Sequence, residues 1–191
     1  MPHQHLILDQ SSLGVDTHCT FSGDLVSQAR FWLQTVRLRV LESQVLSAFN
    51  GPAGSPMSVN QAFALMTRNG GMALRREDIG VLVPGAKADV VVWSGDSVNM
   101  LGWTDPVAAV VLHSNVGDVE HVLVDGKFVK RDGVLVGVDG GVKERFLESA
   151  RRIQGVLKET PEVVLEGEFL EGTKYVVADP IDTLRGLGNG Y

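Results

Sequence analysis

The sequence predicts an α+β chain, with helices in its first part and short antiparallel strands in its middle. Two observations support this. Apolar residues recur at helical spacing from Leu25 to about Phe49. From Asp89 onward the pattern changes to short apolar runs separated by Asp-Gly turns. At 191 residues, the chain is long enough for one sizeable core or for two small units.

The helical part carries recognisable start and stop signals. Ser22-Gly23-Asp24 supplies a helix start, and the chain breaks between Asn50 and Pro56. Ser58 predicts a second helix start, with Gln61 three residues later as its capping-box partner. We expect this second helix to stop at Asn69-Gly70-Gly71.

The middle of the chain is predicted as strands and hairpins. Apolar runs predict strands at Val90–Trp93, Val107–His113 and Val119–Val124. The dipeptides Asp125-Gly126 and Asp132-Gly133 each predict a tight hairpin turn.

Glycines then lead into an amphipathic helix from about Val142 to Leu157. We therefore divide the chain into a helical segment at 1–79, β-hairpins at 80–138, and a C-terminal helix with its tail at 139–191.

Composition narrows the classes of function. A formal net charge of −6 with scattered basic residues argues against a nucleic-acid partner. The single cysteine, Cys19, excludes an internal disulfide. The N-terminus lacks the pattern of a secretory signal, and no apolar run is long enough to span a bilayer. We expect a soluble, cytoplasmic protein that does not bind membranes.

Four stretches resemble, in the same order, the C-terminal segment of one enzyme superfamily. They are Leu13-Gly14-Val15-Asp16, the helical Ala64–Leu74 with its Asn-Gly pair, Gly80–Trp93 with Pro-Gly-Ala-Lys-Ala-Asp, and the hairpin segment Val119–Lys127. Together they are similar to the end of the amidohydrolase superfamily of metal-dependent hydrolases, in its deaminase and chlorohydrolase-like branch. The resemblance covers roughly residues 13 to 136.

The resemblance implies a fold and a limit on chemistry. Leu13–Asp16 would be the last barrel strand, with Asp16 beside the metal, and the later strands would belong to a small β-sandwich that contributes no catalytic residue. The chain would hold a remnant of the barrel and not a complete one. The superfamily's other metal ligands, a His-x-His pair, a Lys or Glu and two later histidines, have no counterpart here. Since a catalytic zinc needs about three protein ligands, we expect neither the superfamily's metal site nor any cofactor in this chain alone.

Other candidate site residues lie close to Asp16. Asp16 and His18 are two apart, so an extended backbone places them on one side, where the carboxylate can orient the imidazole for acid–base work. His3 and His5 have the spacing of two imidazoles on one strand face, and with Asp16 they form the alternative metal set. For Cys19 a small buried side chain is favoured over a nucleophile.

The remaining histidines and tryptophans are expected to be structural. His113 and His121 fall in predicted strands, where we expect them on a strand face or edge. For Trp93 and Trp103 burial is the default, with a pocket wall as the alternative.

Three functional hypotheses follow. The first is a repurposed, metal-independent enzyme of cyclase, isomerase or lyase type, which acts on a small organic molecule by positioning and hydrogen bonding in an apolar pocket. The second is a C-terminal fragment of a zinc-dependent hydrolase or deaminase acting on C–N or C–halogen bonds. The third is a non-catalytic binding or scaffold protein. Because a barrel remnant exposes apolar surface, we also expect a homodimer with exchanged elements.

Overall fold

The computed structural model describes residues 10–17, 21–48, 51, 53–161 and 166–175. By its backbone contacts the chain divides into two compact units, Met1–Val138 and Asp139–Tyr191. Within the described residues helices and a small antiparallel sheet are present, and no barrel closes, which confirms the predicted α+β class. The finer three-part division of the chain stays a prediction.

The described part of the first unit contains three helices, three short helical turns of α, π and 3-10 type, and four strands. Its helices are α1 (Leu25–Ala48), α2 (Val59–Met66), α3 (Arg68–Ala73) and the turn α4 (Pro106–Ala108). Its strands are β1 (Val90–Trp93), β2 (Val119–Val124), β3 (Lys127–Arg131) and β4 (Val134–Leu135). The described helices include none that is both long enough and apolar enough to cross a membrane.

Helix α1 begins at the predicted signal. The Asp24 carboxylate accepts hydrogen bonds from the Ser27 amide at 2.7 Å and from the Ser27 hydroxyl at 2.8 Å, so it satisfies a donor that the first turn leaves open. Partial burial raises the pKa of Asp24, but hydrogen bonds from Ser22 and Ser27 outweigh it and hold the pKa below its usual value. The buried face of the helix consists of Ala29, Leu33 and Val36, at helical spacing.

Helix α2 also begins as predicted but ends differently. Ser58 and Gln61 form the reciprocal capping box, with bonds of 3.1 and 3.2 Å. The predicted stop at Asn69-Gly70-Gly71 is wrong, because the helix breaks at Thr67 and these residues continue as α3. Glycine is required at position 71 because a Cβ there would lie 2.8 Å from the Ile79 carbonyl oxygen.

The four strands form one antiparallel sheet in the order β1-β2-β3-β4. Both predicted hairpin turns are confirmed, and each has two central residues with positive φ, as a type I′ turn requires. The values are 48° and 77° for Asp125 and Gly126, and 51° and 78° for Asp132 and Gly133. Asp-Gly is suited to these turns because both residue types tolerate the left-handed region.

The predicted strand at Val107–His113 is wrong, because this segment is helical. Asp105 caps it by accepting the Ala108 amide at 2.9 Å, and Pro106 occupies the first helical position. A π-helical turn follows over Ala109–His113. The cap and the proline fix a helical start, which overrides the strand preference of the valines.

The core of the first unit lies between α1, α2 and the π-helical turn. Its buried members are Ala29, Leu33, Val36, Met57, Ala62, Leu65 and Val111. Arg30 joins α1 to the π-helical turn by donating to the carbonyl oxygens of Val111 at 2.9 Å and Ser114 at 2.6 Å.

The second unit, in its described residues 139–161 and 166–175, contains one long helix and a small hairpin. Helix α5 spans Val142–Glu159, close to the predicted Val142–Leu157, and the strands β5 (Glu168–Leu170) and β6 (Thr173–Lys174) pair antiparallel.

Candidate functional site

The segment that leads to Asp16 is extended and held by the helices. Half-buried and exposed residues alternate from Ser11 to Thr17, as an extended chain with one covered side requires. The Leu13 amide donates to the Leu65 carbonyl at 3.0 Å, and the Asn69 side chain donates to the Ser11 carbonyl at 2.9 Å. The segment forms no sheet ladder with any other described residue.

Asp16 ends this segment in an unusual backbone conformation. Its φ is 65°, and the Thr17 amide donates to the Val15 carbonyl at 3.0 Å, which makes Asp16 the centre of a γ-turn. A residue held in such a region costs about 1–3 kcal/mol, and such residues concentrate at functional sites. The turn leaves the Asp16 side chain exposed, so its carboxylate is available to a substrate, a water or a metal.

The other residues predicted beside Asp16 lie outside the described residues. These are His3, His5, His18 and Cys19, and neither the His18 acid–base pairing nor the alternative metal set is tested. Among the described residues, no three His, Cys, Asp or Glu side chains are grouped so that they could hold a metal ion. Asp16 is then a single carboxylate, and the described part of the chain does not by itself fit the zinc site that the sequence resemblance implies.

The two described histidines, His113 and His121, make contacts within the fold. His121 lies on β2, and its Nδ1 accepts the Asp132 amide at 3.0 Å while its ring meets Phe128 edge to face. His113 ends the π-helical turn and not a strand, and its carbonyl accepts the Asn99 side chain at 3.0 Å.

A cleft of about 520 Å³ lies between α1, α2 and β1 and was not predicted as a site. Most of its lining is apolar. The lining residues are Leu25, Val26, Phe63, Met66, Thr67, Gly80, Val81, Leu82, Asp89, Val90, Val91, Trp93 and Val110. Trp93 therefore forms part of the wall of a cleft, which was the alternative to simple burial. The volume lies within the range of small-molecule pockets, but the lining offers only one carboxylate, Asp89, for polar chemistry.

Asp89 has a structural partner. Its Oδ1 accepts the Asp125 amide at 2.8 Å, which fixes the start of β1 against the β2–β3 turn. Nearby, a paired guanidinium contact from Arg76 to Asp78, at 2.6 Å to each oxygen, lowers the pKa of Asp78 to about 2. Asp89 and Asp78 are thus engaged in contacts within the fold, and the two carboxylates do not form a pair for acid–base catalysis.

Comparison with known proteins identifies the lineage. The model of the amidohydrolase family matches residues 5–129. The chain belongs to the amidohydrolase family. The match includes Asp16 and the sheet up to β3, and it confirms the resemblance read from the four sequence stretches.

Several curated amidohydrolase relatives carry the names of deaminases. A 5-methylthioadenosine/S-adenosylhomocysteine deaminase of Caldicellulosiruptor saccharolyticus is 27% identical over 106 residues, which are 56% of this chain and 24% of the relative. A 5'-deoxyadenosine deaminase of Methanothermobacter thermautotrophicus is 34% identical over 73 residues, which are 38% of this chain and 17% of the relative. The chain therefore spans about a quarter or less of the length of these relatives.

Solved structures show the same fold. Atrazine chlorohydrolase from Arthrobacter aurescens, complexed with zinc, superposes with a TM-score of 0.53 at 21% identity, over 66% of this chain and 25% of that one. An adenosine deaminase from Xanthomonas campestris, with bound zinc, gives a TM-score of 0.55 at 17% identity, over 72% of this chain and 28% of that one.

These comparisons correct the first functional hypothesis. The prediction of a metal-independent cyclase, isomerase or lyase is wrong, because the relatives are deaminases, which are hydrolytic enzymes. That prediction treated the missing ligands as evidence of a new reaction. The chain spans about a quarter of this relative's length, so the ligands it lacks are not evidence of a different reaction.

Proposed function

We propose that this chain forms the C-terminal part of a hydrolytic deaminase, whose remaining barrel is supplied by further polypeptide. The observation that carries the proposal is the agreement among the named relatives, which are deaminases of modified adenosines and, at 28% identity over 78% of this chain, of isoxanthopterin. The second hypothesis from the sequence is thereby favoured over the first.

The proposed substrate is an amino-substituted nitrogen heteroaromatic ring. The relatives' names share this chemistry, since adenosine and pterin rings both carry an exocyclic amine. In hydrolytic deamination, water adds to the carbon that bears the amine, the C–N bond breaks, and ammonia leaves with a proton derived from that water. The products are the ring carbonyl compound and ammonia.

Asp16 is the residue through which this chain takes part in the reaction. Its exposed carboxylate ends an extended segment and sits in a turn that fixes its backbone. A carboxylate in that position can accept the proton of the attacking water and return it to the leaving amine, provided that the water lies within hydrogen-bond reach. The apolar cleft beside β1 offers no comparable group except Asp89, which is engaged with the Asp125 amide.

The proposal is tested by grafting. The chain replaces the similar region of the deaminase of Caldicellulosiruptor saccharolyticus, and ammonia release from 5-methylthioadenosine is measured for the chimera and for the chain alone. We expect no turnover by the chain alone and measurable turnover by the chimera. Asp16→Asn should reduce kcat of the chimera by at least about 100-fold, whereas Glu120→Gln, at an exposed carboxylate on β2, should leave it unchanged.

The unaltered deaminase of Caldicellulosiruptor saccharolyticus is the positive control. If that control is active while a folded chimera releases no ammonia, the proposal fails. Equal activity of Asp16→Asn and the unsubstituted chimera would remove Asp16 from the reaction.

A further inference from the structure

The extended segment that ends at Asp16 is held at two points on one side. The Leu13 amide donates to the Leu65 carbonyl at 3.0 Å, and the Asn69 side-chain amide donates to the Ser11 carbonyl at 2.9 Å. In an extended backbone the N–H and C=O groups of one residue point to the same side, and residues two apart share that side. Both hydrogen bonds therefore lie on the side of the segment that faces α2 and α3.

The break between α2 and α3 supplies both hydrogen-bonding partners. Thr67 has φ −126° and ψ −96°, outside the helical region, so α2 ends before it. The last carbonyls of a helix have no partner within that helix. The amide and hydroxyl of Thr67 donate to two of them, and the Leu65 carbonyl accepts the Leu13 amide. Asn69 is the second residue of α3, and from there its side chain reaches Ser11.

We infer that Asn69 is a positioning residue for Asp16, because its side chain fixes the register of the segment against the helices. Leu13 and Val15 are half-buried, whereas Asp16 is exposed. A shift of one residue would turn every side chain to the opposite side, which would expose the two apolar residues and cover the carboxylate. The bond from Asn69 to Ser11 is partly buried, so water does not readily replace it. The inference rests on the proposed function, since it gives Asn69 a role in the reaction assigned to Asp16.

Amide hydrogen exchange in the chain alone tests the placement of the segment without any activity. Asn69→Ala should speed exchange of the Leu13 amide by about tenfold, which corresponds to about 1.4 kcal/mol and lies within the worth of one hydrogen bond. The Leu33 amide, within α1, should exchange at its wild-type rate, because loss of the Asn69 contact opens the segment and not the core. Unchanged exchange at Leu13 overturns the inference. Equal acceleration at Leu13 and Leu33 also overturns it, because the contact would then contribute only to general stability.

Kinetics of the grafted chimera test the role in the reaction. Asn69→Ala should lower kcat by about three- to tenfold and leave KM within about twofold, because it displaces the carboxylate and removes no group that binds the substrate. Asn69→Asp keeps the size of the side chain and replaces the donor by a carboxylate that faces the Ser11 carbonyl. An acidic residue in the first turn favours a helix, so this variant retains α3. It should lower kcat at least as far as Asn69→Ala does, and a wild-type kcat would contradict the inference.

Asn99→Ala is the matched control. It removes the same kind of bond, from a side-chain amide to the His113 carbonyl at 3.0 Å, elsewhere in the first unit. It should change neither kcat nor the exchange of Leu13. An active chimera whose kcat is unaffected by Asn69→Ala overturns the inference and leaves the proposed function standing. A folded chimera without activity, beside an active unaltered deaminase, overturns the proposed function and the role of Asn69 in it, and the exchange of Leu13 still decides whether Asn69 fixes the segment.

Discussion

Arg30 offers the sharpest test of how the first unit is held together. The guanidinium reaches from α1 to two carbonyl oxygens at the end of the π-helical turn, those of Val111 and Ser114. These two residues are 0% and 1% exposed, so water does not readily replace the lost donor. Replacing Arg30 by methionine keeps much of the apolar stem and removes both donors.

The expected loss follows from these contacts. A hydrogen bond to a charged group contributes roughly 1.5–3 kcal/mol, and a buried acceptor left without a partner costs roughly 1–3 kcal/mol. Because Arg30 itself is only half-buried, we expect Arg30→Met to lower the free energy of unfolding by about 2–4 kcal/mol. Arg30→Lys should retain one contact and lose about half as much, since an ammonium lacks the paired geometry of a guanidinium.

Tryptophan fluorescence during urea unfolding measures this loss. All three tryptophans lie in the unit Met1–Val138, so the signal reports that unit alone. Arg39→Met is the control, because Arg39 lies on the same helix with an exposed side chain, and it should change stability by no more than about 0.5 kcal/mol. If Arg30→Met changes stability no more than Arg39→Met does, the link between α1 and the π-helical turn does not stabilise the unit.

Two further predictions concern the core and a buried carboxylate. Leu33 is fully buried, so Leu33→Ala should cost about 2–5 kcal/mol in the same assay, whereas Phe31→Ala, at a side chain 67% exposed, should cost much less. Burial raises the pKa of Asp118, but hydrogen bonds, among them those from the Asn115 amide and the Asn99 side chain, hold it below the usual value. The Asp118 carboxylate therefore stabilises the fold above the ordinary carboxyl pKa. This stabilisation is lost as the pH falls through the lowered pKa of Asp118. Unfolding measured from neutral to acidic pH should show a shallower loss in Asp118→Asn than in the wild type, and identical slopes would contradict this.

Where the chemical signal is local, the sequence predicts the fold well. The Ser58–Gln61 capping box and the two Asp-Gly turns depend on residues a few positions apart, and each forms as predicted. These motifs are predictable because the residues of each motif themselves supply the capping side chains or the left-handed backbone that it requires.

The two errors about secondary structure have different causes. The run Val107–His113 has the composition of a strand, but the Asp105 cap and Pro106, which are local signals in the sequence, commit it to a helical turn. The pair Gly70-Gly71 has the composition of a helix stop, but glycine at 71 is required by the close approach of Ile79. The packing of Ile79 cannot be read from local spacing.

The candidate site was only partly predictable for a different reason. Asp16 was found from the Leu-Gly-Val-Asp stretch, and the structure places it in a strained turn. The cleft beside β1 was missed because its walls come from distant parts of the chain, such as Leu25, Phe63 and Trp93. The wrong prediction of the reaction came from treating metal ligands that are missing from this sequence as evidence of a different chemistry.

The position of Asp16 depends on this chain's own helices, and this matters for any assembled enzyme. The Leu13 amide donates a hydrogen bond to the Leu65 carbonyl of α2, and the Asn69 side chain of α3 donates one to the Ser11 carbonyl. The extended segment before Asp16 is therefore positioned without a neighbouring strand among the described residues. A site functions best when its groups are held before the substrate or partner arrives, because ordering them later costs free energy. A complementing barrel would therefore meet a carboxylate whose backbone is already fixed, and weakening the Asn69 contact should reduce activity of the grafted enzyme while the proposed catalytic carboxylate of Asp16 is retained.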